Sequence, residues 1–158
     1  MIEMPENSEL DAFDRKIIRA LSQDGRMTLA ALSDVVGLSK TPCQARIRRL
    51  EKDGYILGYR AIFSPVKLGL EHVAFAEVKL SDTRAAALNE FNAAVMKVPE
   101  IEQCHMIAGG YDYLLKVRTG SIAEYRAFLG EKLSALPHVA QSSTYVAMET
   151  VKETTNLL

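Results

Sequence analysis

The sequence contains little cysteine and histidine, and this scarcity excludes several kinds of site. Cys43 and Cys104 are its only cysteines, and they stand outside any C-x-x-C spacing. Neither a disulfide framework nor a cysteine-type zinc site is therefore indicated. His72, His105 and His138 each lack a second ligand three or four residues further on, so the sequence predicts no metal site and no cofactor.

Long apolar runs are also missing. No stretch approaches the roughly 20 consecutive apolar residues of a membrane helix. The opening MIEMPENSEL is acidic and lacks the basic and apolar parts of a signal peptide. Apolar residues still make up 48% of the 158, which suffices for the core of one medium domain or two small ones. We expect a globular cytoplasmic protein with no membrane partner.

The chain has almost no net charge, but its charges are unevenly distributed. The formal net charge at pH 7 is -1, whereas residues 40–60 contain six cations and two acids. Most of these cations lie in SKTPCQARIRRLEKDG, residues 39–54. A local basic patch of this kind suits a polyanionic partner, although a charged helix face more often only interacts with water.

Three short helices are predicted before residue 54. Apolar residues recur every three or four positions in the first, at Leu10, Phe13, Ile17 and Leu21. Asp11 can cap its start, and Thr28 and Gly37 delimit a second helix. Ser39 can cap a third, whose apolar stripe is Cys43, Ile47 and Leu50. Two short helices joined by a tight Gly-containing turn indicate a helix-turn-helix.

Two β-prone runs follow in YILGYRAIF, residues 55–63, and predict a small hairpin or wing. SPVKLGL, residues 64–70, is typical of a linker. From residue 71 the pattern alternates between strands and helices in the order β-α-β-β-α-β, which is the ferredoxin-like arrangement. We therefore predict an α+β protein with a winged helix-turn-helix domain in residues 1–63, a linker in 64–70 and a second domain in 71–158.

Both faces of the first predicted strand, HVAFAEVKL, are partly apolar. Val73 and Phe75 point to one face, and alanines, Val78 and Leu80 to the other. Helices of the same chain can cover only one face of the sheet. A homodimer is therefore the expected minimum assembly.

The basic third helix has the residues of a recognition helix for double-stranded DNA. At about 100° per residue, most of its polar side chains fall outside the apolar stripe. Gln44 can read adenine, Arg48 can read guanine, and Arg49 and Lys52 can neutralise phosphates. The complete set of candidate DNA-binding residues is Ser39, Lys40, Thr41, Gln44, Arg48, Arg49 and Lys52.

DGRMTLAALSDVVGLSKTPCQARIRRLEKDGYILGY closely resembles the winged-helix domain of the Lrp/AsnC family. QCHMIAGGYDYLLKVR and LPHVAQSSTYVAMETVK are similar to later segments of that family, so the likeness covers nearly the whole chain. The resemblance implies a regulator of transcription whose carboxy-terminal domain, called RAM, binds a small amino acid. It also implies dimers that join into tetramers or octamers.

In such relatives the effector lies between the RAM domains of neighbouring dimers. The matching positions here are Gly109, Gly110, Tyr111, Asp112, Leu136, Tyr145, Val146, Ala147 and Met148. Two glycines permit positive φ and close approach of backbone N–H groups to a carboxylate, and Asp112 can accept from an ammonium group. A Gly-Gly-Tyr-Asp turn is equally an ordinary hairpin connection.

Two other functions are compatible with a chain of this kind. Siroheme decarboxylases are built on a similar two-domain chain, and His105 on a strand could face a cavity in such an enzyme. The protein could also be a DNA-wrapping architectural protein that responds to no ligand. The basic third helix favours DNA over the enzyme.

Overall fold

The computed structural model describes residues 9–153 and divides them into two compact units. The first comprises the residues up to Ile62 together with Lys152 and Glu153, and the second spans Phe63–Val151. Each unit has its own hydrophobic core. The residues predicted as a linker contain a 3-10 turn at Val66–Leu68 and group with the second unit.

Three helices form the amino-terminal unit: α1 (Ala12–Gln23), α2 (Leu29–Val36) and α3 (Lys40–Lys52). Two of the three predicted side-chain caps are present, since the Asp11 carboxylate accepts from the Asp14 N–H and the Thr28 hydroxyl accepts from the Ala31 N–H. Ser39 occupies the N-cap position of α3, but its side chain makes no capping hydrogen bond there. Gly37, at φ 80°, ends α2 and leaves a tight turn before α3. The helix-turn-helix is therefore confirmed.

The inward face of α1 differs from the predicted stripe. Ile17 is fully buried, but Phe13 is 37% exposed, and the polar Asp14 beside it has no exposed side-chain area. The core is otherwise built from residues of all three helices. Its buried members are Ile17, Ala20, Leu32, Val36, Cys43 and Leu50.

The structure does not form the hairpin predicted for residues 55–63. Residues 56–64 contain neither helix nor strand, and Gly58 lies at φ 151°. Leu57 is 95% exposed, so its side chain has no core to pack against. An isolated two-stranded hairpin is only marginally stable, which explains why β propensity alone does not produce it here.

The carboxy-terminal unit has the predicted β-α-β-β-α-β order. Its elements are β1 (His72–Leu80), α4 (Ala85–Val95), β2 (Ile101–Met106), β3 (Tyr113–Thr119), α5 (Ile122–Glu131) and β4 (Val139–Val146). The four strands form one antiparallel sheet in the order β2-β3-β1-β4. Just after β4, the Ala147 N–H donates to the Val73 carbonyl near the start of β1.

The helices of this unit cover one face of its sheet. Alternate residues of β1 and β3, such as Val78 and Leu115, pack with Phe91 and Phe128 in a single core. Phe75 points to the opposite face, with Lys116 of β3 as its neighbour in register. No described helix of the unit belongs to a core on that side.

Candidate DNA interface and effector region

Helix α3 is held on one side by the core of the amino-terminal unit. Cys43 and Leu50 are fully buried, and Ile47 packs beside them, as the apolar stripe predicts. Burial also raises the pKa of the Cys43 thiol, which keeps it protonated. The predicted DNA-binding residues are all exposed on the rest of the helix and the residue before it. The structure therefore presents this set to solvent.

Gln44 and Arg48 border a groove of about 340 Å³ on the surface of this unit. Apolar side chains of all three helices form its floor, with Leu29 of α2 and Ile47 of α3 among them. Tyr59 closes one end and donates a hydrogen bond of 3.0 Å to the Glu51 carboxylate. Burial and this carboxylate raise the pKa of Tyr59 to about 12, so the phenol remains a donor at neutral pH.

The cations of α3 divide into two groups. Lys40, Arg48 and Lys52 form no ion pair within residues 9–153. Arg46 and Arg49, by contrast, both bind the carboxylate of Asp14 on α1. Arg49 was predicted to neutralise a DNA phosphate, and the structure shows that its guanidinium already has an acidic partner.

Sequence reasoning missed this role of Asp14. Asp14 lies in the first turn of α1, where it completes a capping box with Asp11. Its two arginine partners lie 32 and 35 residues further along the chain. No spacing rule relates residues at such separations, so the sequence carries no direct signal for the cluster.

In the carboxy-terminal unit, Asp112 anchors the loop between β2 and β3. One carboxylate oxygen accepts from the Lys79 ammonium at 3.1 Å, and the other accepts from the Leu80 N–H at 2.8 Å. The bond from Leu80 and the charge of Lys79 hold the pKa of Asp112 below its usual value. Both oxygens that were expected to meet an effector ammonium group are therefore engaged by the protein itself.

The two glycines of this loop have open space beside them. Neither Gly109 nor Gly110 lies at positive φ, so the left-handed conformation considered from the sequence is not used. A Cβ atom added at either position would meet no atom within 4 Å. Within one chain, neither backbone conformation nor packing requires glycine here.

Two predicted effector tyrosines face the uncovered side of the sheet. The Tyr111 hydroxyl is 2.6 Å from the Ser143 hydroxyl, and the Tyr145 hydroxyl donates to Glu77 at 3.1 Å. The Glu77 carboxylate raises the pKa of Tyr145. Tyr145 is 57% exposed, so its ring is accessible on this face.

The remaining predicted effector residues lie towards opposite ends of the sheet. Leu136 is buried close to the end of β1. Two residues after Leu136, the His138 carbonyl accepts a hydrogen bond from the Ser81 N–H, just after β1 ends. Ala147 bonds to Val73 near the start of β1, and Val146 and Met148 flank it with exposed side chains. Seven residues of strand separate these ends by roughly 23 Å. One amino acid cannot contact both ends within a single chain.

Asp112→Asn is expected to lower the free energy of unfolding by about 2 kcal/mol at pH 7, because hydrogen bonds to a charged group contribute about 1.5–3 kcal/mol. The folded-state pKa of Asp112 lies below its ordinary 3.8. Its stabilisation is therefore present above about pH 4 and is lost as the pH falls through the folded value. Urea unfolding at about pH 7 and pH 3 should show that the difference in unfolding free energy between the wild type and the variant is smaller in acid.

Glu149→Gln is the control for this measurement, since Glu149 is exposed and in the same unit. It should change stability by less than about 0.5 kcal/mol at either pH. A deficit for Asp112→Asn that is equal at the two pH values would show that the carboxylate charge is not what stabilises the loop.

The comparisons with known proteins agree with the two units. Residues 10–56 match the family model for a winged helix-turn-helix DNA-binding domain. Residues 73–157 match the model for the Lrp/AsnC ligand binding domain, which is more than half of the chain. The chain belongs to the Lrp/AsnC family.

Individual Lrp/AsnC relatives match over nearly the full length. A proline dehydrogenase transcriptional activator of Rhizobium radiobacter is 61% identical over 98% of this chain and 99% of its own. The leucine-responsive regulatory protein of Escherichia coli K12 is 44% identical over 95% of this chain and 92% of its own. A Neisseria meningitidis regulator solved with L-methionine is 32% identical, with a TM-score of 0.87 over 94% of this chain and 96% of its own.

This Lrp/AsnC protein is accordingly a DNA-binding transcriptional regulator and not an enzyme. His105, the residue considered for a decarboxylase, is exposed on β2. Within residues 9–153 no cluster of His, Cys, Asp and Glu could hold a metal ion. In the same part of the chain, no helix is long and apolar enough to span a membrane.

Proposed function

We propose that this protein activates a gene of amino-acid breakdown, with proline dehydrogenase as the first candidate target and proline as the candidate effector. The observation that carries this proposal is the 61% identity to a proline dehydrogenase transcriptional activator over 98% of the chain. The substrate of a catabolic enzyme is a suitable effector for the regulator of that enzyme, because the substrate concentration reports when the enzyme is needed. The regulator would act in the cytoplasm, together with the DNA.

For DNA recognition, α3 enters the major groove with its exposed polar side chains. Gln44 and Arg48 read adenine and guanine edges, and Lys40 and Lys52, which form no ion pair within residues 9–153, bind phosphates. Ser39 and Thr41, at the amino end of the helix, add phosphate or base contacts. Exposure of the whole set supports this assignment.

For assembly, a second copy covers the open face of the sheet and makes a homodimer. This face is mixed in chemistry, with Phe75 and Leu114 among charged side chains such as Lys116. Dimers then associate into a tetramer or octamer. The separation of the predicted effector residues supports a site completed by more than one chain, since no single chain gathers them.

The effector would act by favouring one assembly over another. A ligand shifts an equilibrium only by its difference in affinity for the two states. Proline bound between RAM domains would therefore stabilise the oligomer in which the helix-turn-helix pairs match the spacing of the DNA sites. The loop at Gly109 and Gly110 has open space beside its backbone, where the N–H groups would bind the proline carboxylate.

The test combines DNA binding with thermal unfolding. Fluorescence anisotropy should show tighter binding to the duplex upstream of the proline dehydrogenase gene than to a shuffled duplex of equal length. L-Proline at about 100 times its Kd should stabilise the protein by about 2.7 kcal/mol, since it binds only the native state. D-Proline is the matched control and should give a much smaller shift.

The outcomes separate the parts of the proposal. Equal affinity for the two duplexes would reject this target gene. A shift with leucine or methionine, but not proline, would keep a small amino-acid effector and change its identity. Specific DNA binding without a shift from any amino acid would favour the ligand-independent, DNA-wrapping role.

A further inference from the structure

Asp14 is a buried acid that connects α1 to the recognition helix. We propose that Asp14 is a positioning residue for DNA recognition, which fixes the rotation of α3 and withholds Arg46 and Arg49 from DNA phosphates. The inference rests on the proposed readout of DNA by α3. It assigns a role in specificity to a side chain that cannot itself contact DNA, because its side chain is 0% exposed.

Each oxygen of the Asp14 carboxylate has a donor. One accepts from the Arg46 guanidinium at 2.8 Å, and the other accepts from Arg49 and from the Asp11 N–H at 3.1 Å. An ionised carboxylate without water is costly unless it is paired and hydrogen-bonded. The guanidinium groups that α3 supplies therefore stabilise the buried Asp14 carboxylate.

Arg46 is restrained further by the first turn of α1. The same guanidinium nitrogen donates to the Asp11 carboxylate at 2.6 Å, and the group lies 5.4 Å from the centre of the Phe13 ring. Two carboxylates and one aromatic ring thus surround this cation, which is only 27% exposed. The exposure of Phe13, unexpected from the helical pattern, places its ring where Arg46 packs on it.

These contacts determine the orientation of α3 more than its apolar stripe does. Burial of Cys43 and Leu50 holds α3 against the core of the unit, but apolar contacts have little directional preference. Arg46 and Arg49 lie three residues apart on one flank and form two directional bonds to the same carboxylate. Arg48 is about 100° from Arg49 around the helix, so this attachment also sets where Arg48 points.

The same pairing reduces the sequence-independent attraction to DNA. Every protein cation that neutralises a phosphate adds about -0.9 to the slope of log affinity against log salt. Phosphate contacts strengthen binding to every duplex alike, because they carry no sequence information. With Arg46 and Arg49 held by Asp14, a larger share of binding depends on Gln44 and Arg48, which face the bases.

Asp14→Asn tests the inference, because it keeps the size of the side chain and removes the charge that holds both arginines. The probes are a duplex that the wild type selects from a random pool and a shuffled version of it. We expect the variant to bind the selected duplex about tenfold more weakly and the shuffled duplex more tightly. Its salt slope on the shuffled duplex should steepen by about 1–2, for one or two released cations.

Asp34→Asn is the matched control. Asp34 is an exposed acid on α2 of the same unit, and it makes no ion pair within residues 9–153. Asp34→Asn changes the net charge by the same amount as Asp14→Asn but releases no arginine. Its affinities for the selected and the shuffled duplex should therefore stay within about twofold of the wild type. Circular dichroism of each variant reports whether the helices remain folded.

Failure of the inference is distinguishable from failure of DNA readout. A wild type that selects no duplex would reject the readout by α3. A selective wild type with unchanged affinities for Asp14→Asn would overturn the positioning role. An equal loss on both duplexes with an unchanged salt slope would reduce Asp14 to a structural residue, which also overturns it.

If Asp14→Asn does not fold, Arg49→Gln and Lys52→Gln decide the question. Arg49→Gln should leave the salt slope of the wild type unchanged, because its guanidinium is already neutralised by Asp14. Lys52→Gln should make the slope shallower by about 1, since Lys52 binds a phosphate in the proposed readout and forms no ion pair within residues 9–153. Equal slope losses for the two variants would contradict the inference.

Discussion

Arg48→Ala is expected to weaken binding to the preferred duplex by about 1–3 kcal/mol for each half-site, which is the value of a bidentate contact to guanine. A dimer that reads two half-sites would lose about twice this amount. The physical reason is that the guanidinium of Arg48 is exposed and has no acidic partner within residues 9–153. Fluorescence anisotropy across a salt series measures the loss.

The control is Arg19→Ala, which removes an exposed cation from α1 of the same unit. It should leave the preference for the selected duplex over a shuffled duplex unchanged. A parallel loss on both duplexes for Arg48→Ala, with a shallower salt slope, would assign Arg48 to phosphate instead of base contact. Unchanged binding to both duplexes would exclude Arg48 from the interface.

Phe91→Ala is expected to lower the free energy of unfolding of the carboxy-terminal unit by about 3–5 kcal/mol. Phe91 is fully buried, and its ring centre is 4.5 Å from that of Tyr113 in the middle of the core. Truncation removes the buried ring and leaves a cavity in the core, and both changes lower the free energy of unfolding. The loss is large against the 5–15 kcal/mol that stabilises a typical domain.

Urea unfolding of the variant and the wild type measures this effect. Ile122→Ala is the control, because Ile122 is a large apolar residue of the same unit that is 59% exposed. Its truncation should change stability by less than about 0.5 kcal/mol. A loss of under about 1 kcal/mol for Phe91→Ala would show that the core around Tyr113 repacks.

The proposed effector site and the recognition helix differ in how far the sequence could predict them. The exposed face of α3 follows from one helical period, and every residue predicted for it is exposed. The proposed effector residues come from separate segments and lie towards two ends of a sheet. Spacing along the chain does not report such distances.

The wing is an instructive exception among the predicted elements. Residues 55–63 have strand-forming composition, yet they contain no strand in this chain. β propensity expresses how well a residue fits a packed, pleated surface, and Leu57 is almost wholly exposed. Strand-forming composition alone therefore did not determine structure here.

The sequence by itself determined the helices, the strands and the order that defines the family, because caps and apolar periods act over a few residues. Asp11, Thr28 and Gly37, for example, take the positions that their chemistry favours. Only the tertiary structure decided which cations of α3 are engaged by acidic side chains. The ion pairs that hold Arg46 and Arg49 join residues 32 and 35 positions apart, and they form only when packing brings α1 against α3.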